Sequence, residues 1–575
     1  MRFPKLNNWY RGMYDLVPVE VNVPEYPTKP GTPAEGDRAA LGALVKSRVY
    51  NPYPKGVKPC GFGSREAPQV RVFDGIPKGM PDALVGSYGE LGLDDKVCFD
   101  RYGRLGSYGY GYSEKEGGLG EAVFRSTTGE EKVEGAHSVG GFPLKKIDWR
   151  GIDWGTLQTE CSVSNYGRFS SSSSESTGRS EQGPKLPRTA ILIRTWTGYK
   201  YTNNDIANLR SIISELSLLS GGEYTVFFLM HVKDSTPLNQ KEKILSNSGL
   251  PKEFWGLVSL WNEPSMRKAY STIPDDSAGF SHRRLPGDLG YLKLPVCGVY
   301  RSTFMPIQQF AVSHPEFDFF YNWEMDARYT GHWYHLLSQF STWSTQQPRK
   351  GLWERNERFY IPAIHGSWQN FVADTQRRNN NTIFGPVAVP GVMINPTLPN
   401  PPDGVGEHAD LITLNPLFKP DDTTWFLRND HPGYPSPSTP RRASIVAFSR
   451  LSRRLLMAMH SENEAGRTMF SEMFPASTAL IHGLKAVYVP HPIGFDRAWP
   501  LGFMEKTLQT SGRGGVFGVR EHNLLSGTWY YNAEFAGRVY KAWGKGVKGN
   551  EGQEDRGERG GRMCLRGMLI HPVKD

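Results

Sequence analysis

Glu324-Met325-Asp326 sets two carboxylates one residue apart, directly after the apolar run Phe317-Asp318-Phe319-Phe320-Tyr321-Asn322-Trp323. In an extended backbone alternate side chains point the same way, so both acids project to one side. Two hard oxygen donors in that position can share one Mn²⁺ or Mg²⁺ and leave open positions for the phosphate oxygens of a nucleotide. A cation so held stabilises a departing diphosphate as a Lewis acid. The same spacing also suits strand-end acids that cap a helix or face water. A third ligand could come from His491, after the strand-like Leu484 to Pro490, or from His522 in Glu521-His522-Asn523. Either imidazole could complete the site, and either could instead be a hydrogen-bonded structural residue.

Other residues suit the rest of such a chemistry. Arg194 and Thr195 close a β-rich run, with Tyr199 close behind, so a guanidinium could meet phosphates while a base stacks on the tyrosine. Glu472, in Phe470-Ser471-Glu472-Met473-Phe474-Pro475, precedes a helix-like Ala476 to Leu484. It could deprotonate an acceptor hydroxyl, or it could be a helix N-terminal charge. Asp326 and Glu472 are therefore the catalytic candidates. Trp323, Trp333, Trp343, Trp353 and Trp368 crowd around the acidic motif, where flat rings stack on sugars or fill a core. The chain has no G-x-S-x-G motif, no P-loop and no Ser/His/Asp order.

These groups need elements to hold them. Thr189 to Trp196 reads as a first strand, and Ile206, Leu209, Ile212, Ile213, Leu216 and Leu219 fall at helical spacing between Asn203-Asn204-Asp205 and Gly221-Gly222. Tyr224 to Met230 and Leu257 to Trp261 read as strands two and three, Tyr300 to Val312 as a helix, and Phe317 to Trp323 as strand four. Near-continuous apolar strands between helices predict an α/β fold, with a central, mostly parallel sheet covered by helices on both faces. Ligands then belong at the carboxyl ends of the strands.

The expected organisation is an irregular Pro/Gly/Tyr-rich extension or stem over 1–163, a Ser-rich disordered linker or insert over 164–184, the catalytic domain over 185–540, and a partly flexible C-terminal segment over 541–575. At 38% hydrophobic and 22% charged, 575 residues can bury a sizeable core, which excludes wholesale disorder. A net charge of +9 is thin over that length and suggests anionic ligands, not nucleic acid. Apolar runs fall short of the ~20 residues of a membrane span, and the first residues lack a secretory apolar stretch. Five cysteines without a C-x-x-C pair argue against structural zinc. Cys60 and Cys98 lie in loop-rich sequence suited to disulfides, and Asn380-Asn381-Thr382 is a glycosylation sequon, so both hint at a lumenal compartment.

Ile193-Arg194-Thr195-Trp196-Thr197-Gly198-Tyr199, Asn322 to Trp333, Gly483-Leu484-Lys485-Ala486-Val487-Tyr488, Cys98 to Arg104 and Gly561 to Leu565 are similar to a filamentous-fungal family known as domain of unknown function 3405. That resemblance runs from about Cys60 to Pro572. More loosely, the order of elements resembles GT-A glycosyltransferases, whose nucleotide-sugar-binding fold ends its fourth strand in a D-x-D-type metal motif. Glu324-Met325-Asp326 is similar to the E-P-D variant of fungal retaining α-mannosyltransferases, and His491 resembles their late metal-binding histidine. The resemblance implies a GT-A-like fold and a Golgi or secretory-pathway enzyme. Asp326, Glu324 and His491 would bind Mn²⁺, while Arg194, Thr195, Tyr199 and Glu324 would contact a nucleotide sugar, with a glycan or glycoprotein as acceptor. Met325 replaces their proline, so GDP-mannose as donor is a guess. An inactive GT-A-like carbohydrate-binding or scaffold protein stays open. So does a glycoside hydrolase pairing Asp326 with Glu472, although hydrolase barrels repeat strand and helix eight times.

Overall fold

Seven strands build the main sheet: β1 (Thr189–Trp196), β2 (Tyr224–His231), β3 (Val258–Trp261), β4 (Phe319–Glu324), β5 (Leu411–Thr413), β6 (Ser449–Ser452) and β7 (Ala486–Tyr488). The structure, a computed structural model, describes residues 47–75, 80–121, 138–139, 142–143, 145–169, 185–274, 294–378, 383, 385–394, 403–421, 423, 425, 427–435, 439–496, 499–508, 524–545 and 564–574. Most of the Ser-rich insert, the sequon and His522 lie outside the described residues.

The strand order is β3-β2-β1-β4-β6-β5-β7. β1 runs parallel to β2 and β4, β2 to β3, and β5 to β7, while β6 is antiparallel to both β4 and β5. The sheet is thus mixed and mostly parallel, in a mixed α/β protein. Its strands match the expected apolar runs: Ala190 to Ile193 and Phe320 to Trp323 are buried, as strands covered on both faces require. From β1 the chain first winds outward through β2 to β3, and then returns to lay β4 against the other side of β1. That reversal makes a topological switch point between β1 and β4, the place where sheets of this kind take ligands. Because β6 is antiparallel, the residues before it reach the same edge, and Ser449 pairs with Asn322.

Helix α1 (Asn203–Ile213) starts on a Thr202 cap, whose side chain takes the Asp205 N–H while Asp205 reaches back. It continues as a π-helical turn over Ser214–Leu218. That turn brings Glu215 into the core, where Arg104 donates to both of its oxygens at 2.6 and 3.3 Å, and Tyr108 Oη and the Trp333 N–H each donate at 2.8 Å. A buried ion pair is tolerable only when its remaining hydrogen bonds are met, as here. Helix α2 spans Met305–Ser313, beginning later than the apolar spacing predicts because Pro306 favours a first turn. Helix α3 covers Phe474–Ile481.

Ser47–Val49, Arg71–Asp74 and Val97–Asp100 pair with Cys564–Leu565 in a second, antiparallel sheet. The described part of the Tyr-rich N-terminal region buries Tyr102, Tyr108, Tyr110 and Tyr112 in the core. Disulfides join Cys60 to Cys161 and Cys98 to Cys564, and the buried Cys297 belongs to neither bridge. Among the described residues, no helix is long and apolar enough to cross a membrane.

Candidate metal and anion site

β4 is buried through Trp323 and emerges at Glu324. In the parallel register Arg194 of β1 lies opposite Glu324, and the two form an ion pair across the switch point. Met325 turns into the core, and Asp326 follows on the open side. The chain then bends so that Arg328–Tyr329 pairs antiparallel with Leu569–Ile570, while the Asp326 carbonyl accepts from the Val573 N–H at 2.8 Å. This pairing delivers His571. Its Nε2 lies 3.2 Å from Glu324 Oε2 and 3.4 Å from Asp326 Oδ1. Its Nδ1 lies 3.2 Å from the Tyr530 carbonyl, which can only accept, so Nδ1 carries a proton and Nε2 faces the acids. Trp529 and Phe448 wall the ring at centroid distances of 5.2 and 5.3 Å. Ligand atoms of Glu324, Asp326 and His571 all lie within 4.8 Å of one another.

The charges of this cluster are tightly matched. Burial would raise the Glu324 carboxyl, but Arg194 and His571 hold it below the ordinary range. Burial opposes ionisation of Asp326 too, and His571, Lys574 and Arg328 overcome it. Burial pushes His571 down, yet hydrogen bonds and charge from Asp326 and Glu324 raise it to about 9. Two carboxylates and an imidazole are donors that could hold a divalent cation, with Nδ1 already anchored on a backbone carbonyl as metal-ligating histidines commonly are.

The other expected site residues are distributed unevenly. Thr195 points into the core, its hydroxyl 2.5 Å from Tyr201 Oη. Tyr199 makes a long 3.4 Å bond to Asp205, and its ring packs between Trp196 and Tyr201. The accessible aromatic is Trp196, 37% exposed, with Lys233 Nζ 4.7 Å over its ring. Strand alternation could have found it, since Trp196 shares a face with Arg194. Glu472 accepts from the Val446 N–H at 2.6 Å. Val446 has φ 69°, a left-handed conformation unusual for a β-branched residue, and Asn415 and Asn322 hold the carbonyls on either side of it. Glu472, Ser444, Ser449, Thr413 and Phe448 line a small recess of about 10 Å³, room for about one water, and Phe448 stands between it and His571.

His491 is not among the clustered ligands. Its Nε2 is 3.1 Å from the Leu414 carbonyl, and its ring packs 5.3 Å from Trp529. The sequence reading missed His571, although Leu569-Ile570-His571-Pro572 repeats the strand-then-His-Pro pattern of Tyr488-Val489-Pro490-His491-Pro492.

Burial depresses His491 to about 4. A base so depressed binds its proton only in the unfolded chain between pH 6.5 and 4, so stability falls as pH drops through that window. The loss should reach roughly 3 kcal/mol. Denaturant unfolding at a series of pH values should show that His491→Asn, which keeps a donor toward Leu414, loses this part of the slope.

The chain is thus a mixed α/β protein with a carboxylate–imidazole cluster at the switch point of a mostly parallel sheet. A family model described as "Protein of unknown function (DUF3405)" matches residues 98–575, and the chain belongs to that family. No curated protein and no solved structure matches it.

Proposed function

We propose that this protein is a metal-dependent glycosyltransferase of GT-A type, moving a sugar from a nucleotide-sugar donor to a glycan or glycoprotein acceptor. The observation that carries the proposal is the cluster of Glu324, Asp326 and His571 facing Arg194 at the switch point, where sheets of this kind take nucleotides. Glu324, Asp326 and His571 would hold Mn²⁺ or Mg²⁺. Such a cation, when bound, supplies charge neutralisation to a leaving diphosphate. The chain's own groups do the rest. Arg194 contacts phosphate oxygens, and Trp196 with Lys233 offers a flat, basic ledge for a base. Glu472, held by the Val446 N–H, would accept the proton of an acceptor hydroxyl. GDP-mannose remains the donor guess from the resemblance. Two disulfides favour an oxidising, secretory-pathway compartment such as the Golgi lumen.

Calorimetry with a panel of nucleoside diphosphates and nucleotide sugars, with and without Mn²⁺, tests the proposal. Binding of one nucleotide that needs Mn²⁺ is expected, together with sugar transfer or slow hydrolysis of that donor. A folded sample that binds none of them at millimolar concentration would overturn the transferase reading in favour of a sugar-binding scaffold.

A further inference from the structure

We propose that Arg194 couples cation and anion binding: it is the resident partner of Glu324 until a divalent cation takes that carboxylate, and the displaced guanidinium then holds a diphosphate. The inference rests on the reading of the cluster as a metal site.

Both oxygens of Glu324 are already engaged, Oε1 by Arg194 and Oε2 by His571. A cation held by Glu324, Asp326 and His571 Nε2 replaces the His571 bond to Oε2, and its charge then competes with Arg194 for the same carboxylate. Arg194 has somewhere to go. Its side chain is 20% exposed, whereas His571 is almost fully enclosed and tied to Tyr530. Among the described residues Glu324 is the only hydrogen-bond partner of the Arg194 side chain, and its Nε is buried without one. The other strong cation nearby, Arg328, is committed to Asp205 and to the Met325 and Ala327 carbonyls, so it cannot take this role. Lys574 near Asp326 is exposed and screened by water.

Once detached from Glu324, Arg194 would sit beside a dication with no counter-charge, in a place where a half-buried unpaired charge is costly. That repulsion weakens the cation when it binds alone. An anion with several oxygens removes the conflict, because some can face the cation while others take the planar guanidinium bidentately. Diphosphate has the charge and the oxygen count for this, whereas a neutral sugar does not. Coupling of this kind is reciprocal, so each ligand raises the affinity for the other by the same factor.

Mn²⁺ binding, followed by the electron paramagnetic resonance of the free ion, is the test. Wild type, Arg194→Met and Arg194→Lys are compared, with and without inorganic diphosphate at matched free Mn²⁺. Arg194→Met should bind Mn²⁺ alone about tenfold tighter than wild type and should gain about tenfold less from diphosphate, with Arg194→Lys between them. Equal Mn²⁺ affinity in wild type and Arg194→Met would overturn the coupling and leave the metal site standing. No Mn²⁺ binding by any of the three, all folded by circular dichroism, would overturn both.

Discussion

Replacing His571 by alanine should lower Mn²⁺ affinity at least ~100-fold, whereas replacing His491 by asparagine should leave it nearly unchanged. The two histidines carry similar local sequence, each ahead of a proline, and both rings pack on Trp529. They differ in what their Nε2 meets. That of His571 faces Glu324 and Asp326, while that of His491 faces the Leu414 carbonyl. Loss of a residue that only orients a metal ligand typically costs the site 10–100-fold, and removal of a direct ligand should exceed that range. A ~100-fold change is about 2.7 kcal/mol, well within reach of calorimetry. Asp326→Asn should behave as His571→Ala does. If His491→Asn is the damaging variant, the assignment of the third ligand is wrong.

Removing the Cys98–Cys564 disulfide by a paired Cys98→Ser, Cys564→Ser change should both destabilise the fold and weaken the metal site. Cys564–Leu565 pairs with Phe99–Asp100, the Thr330 hydroxyl donates to the Arg566 carbonyl at 2.7 Å, and Leu569–Ile570 pairs with Arg328–Tyr329. The bridge anchors the start of this short strap, and His571 lies at its far end. Loss of a native disulfide costs roughly 2–5 kcal/mol, depending on the model of the unfolded chain. A drop of that size should lower the melting temperature by several degrees. Mn²⁺ affinity should fall about tenfold as the strap frays, because only the docked fraction is competent. The paired change at Cys60 and Cys161 serves as the control, with a comparable loss of stability and unaltered Mn²⁺ binding. Equal effects on the metal from both pairs would show that the strap has no special role.

Much of the sheet was legible because β1, β2 and β4 are long apolar runs whose burial on both faces leaves few alternatives. β5 and β6 were not. β6 reads Ser-Arg-Leu-Ser, and its polarity is accommodated only by tertiary partners: Arg450 lies 4.1 Å over the Phe319 ring and donates to the Ala409 carbonyl at 2.8 Å. The mixed character of the sheet was therefore hidden, and with it the arrival of Phe448 at the ligand edge. Glu324, Asp326 and Arg194 were visible from their positions at strand ends. The buried orientation of Thr195 follows from strand alternation, yet it becomes plain only once the neighbouring Tyr201 is placed. His571 could not be paired with Glu324 from local pattern, since they lie 247 positions apart and are joined by long-range contacts such as the Arg328–Tyr329 pairing.

The cluster draws its carboxylates from the middle of the chain and its imidazole from residue 571, with consequences for synthesis. Domains fold as they leave the ribosome, at about 5–20 residues per second. β1 to β4 can therefore pair well before His571 is made, and the two acids wait beside Arg194 for many seconds. A message truncated between codons 489 and 570 still encodes every strand of the main sheet but not the third ligand. Cation binding would thus report that translation had passed that codon, which a measure of sheet content could not.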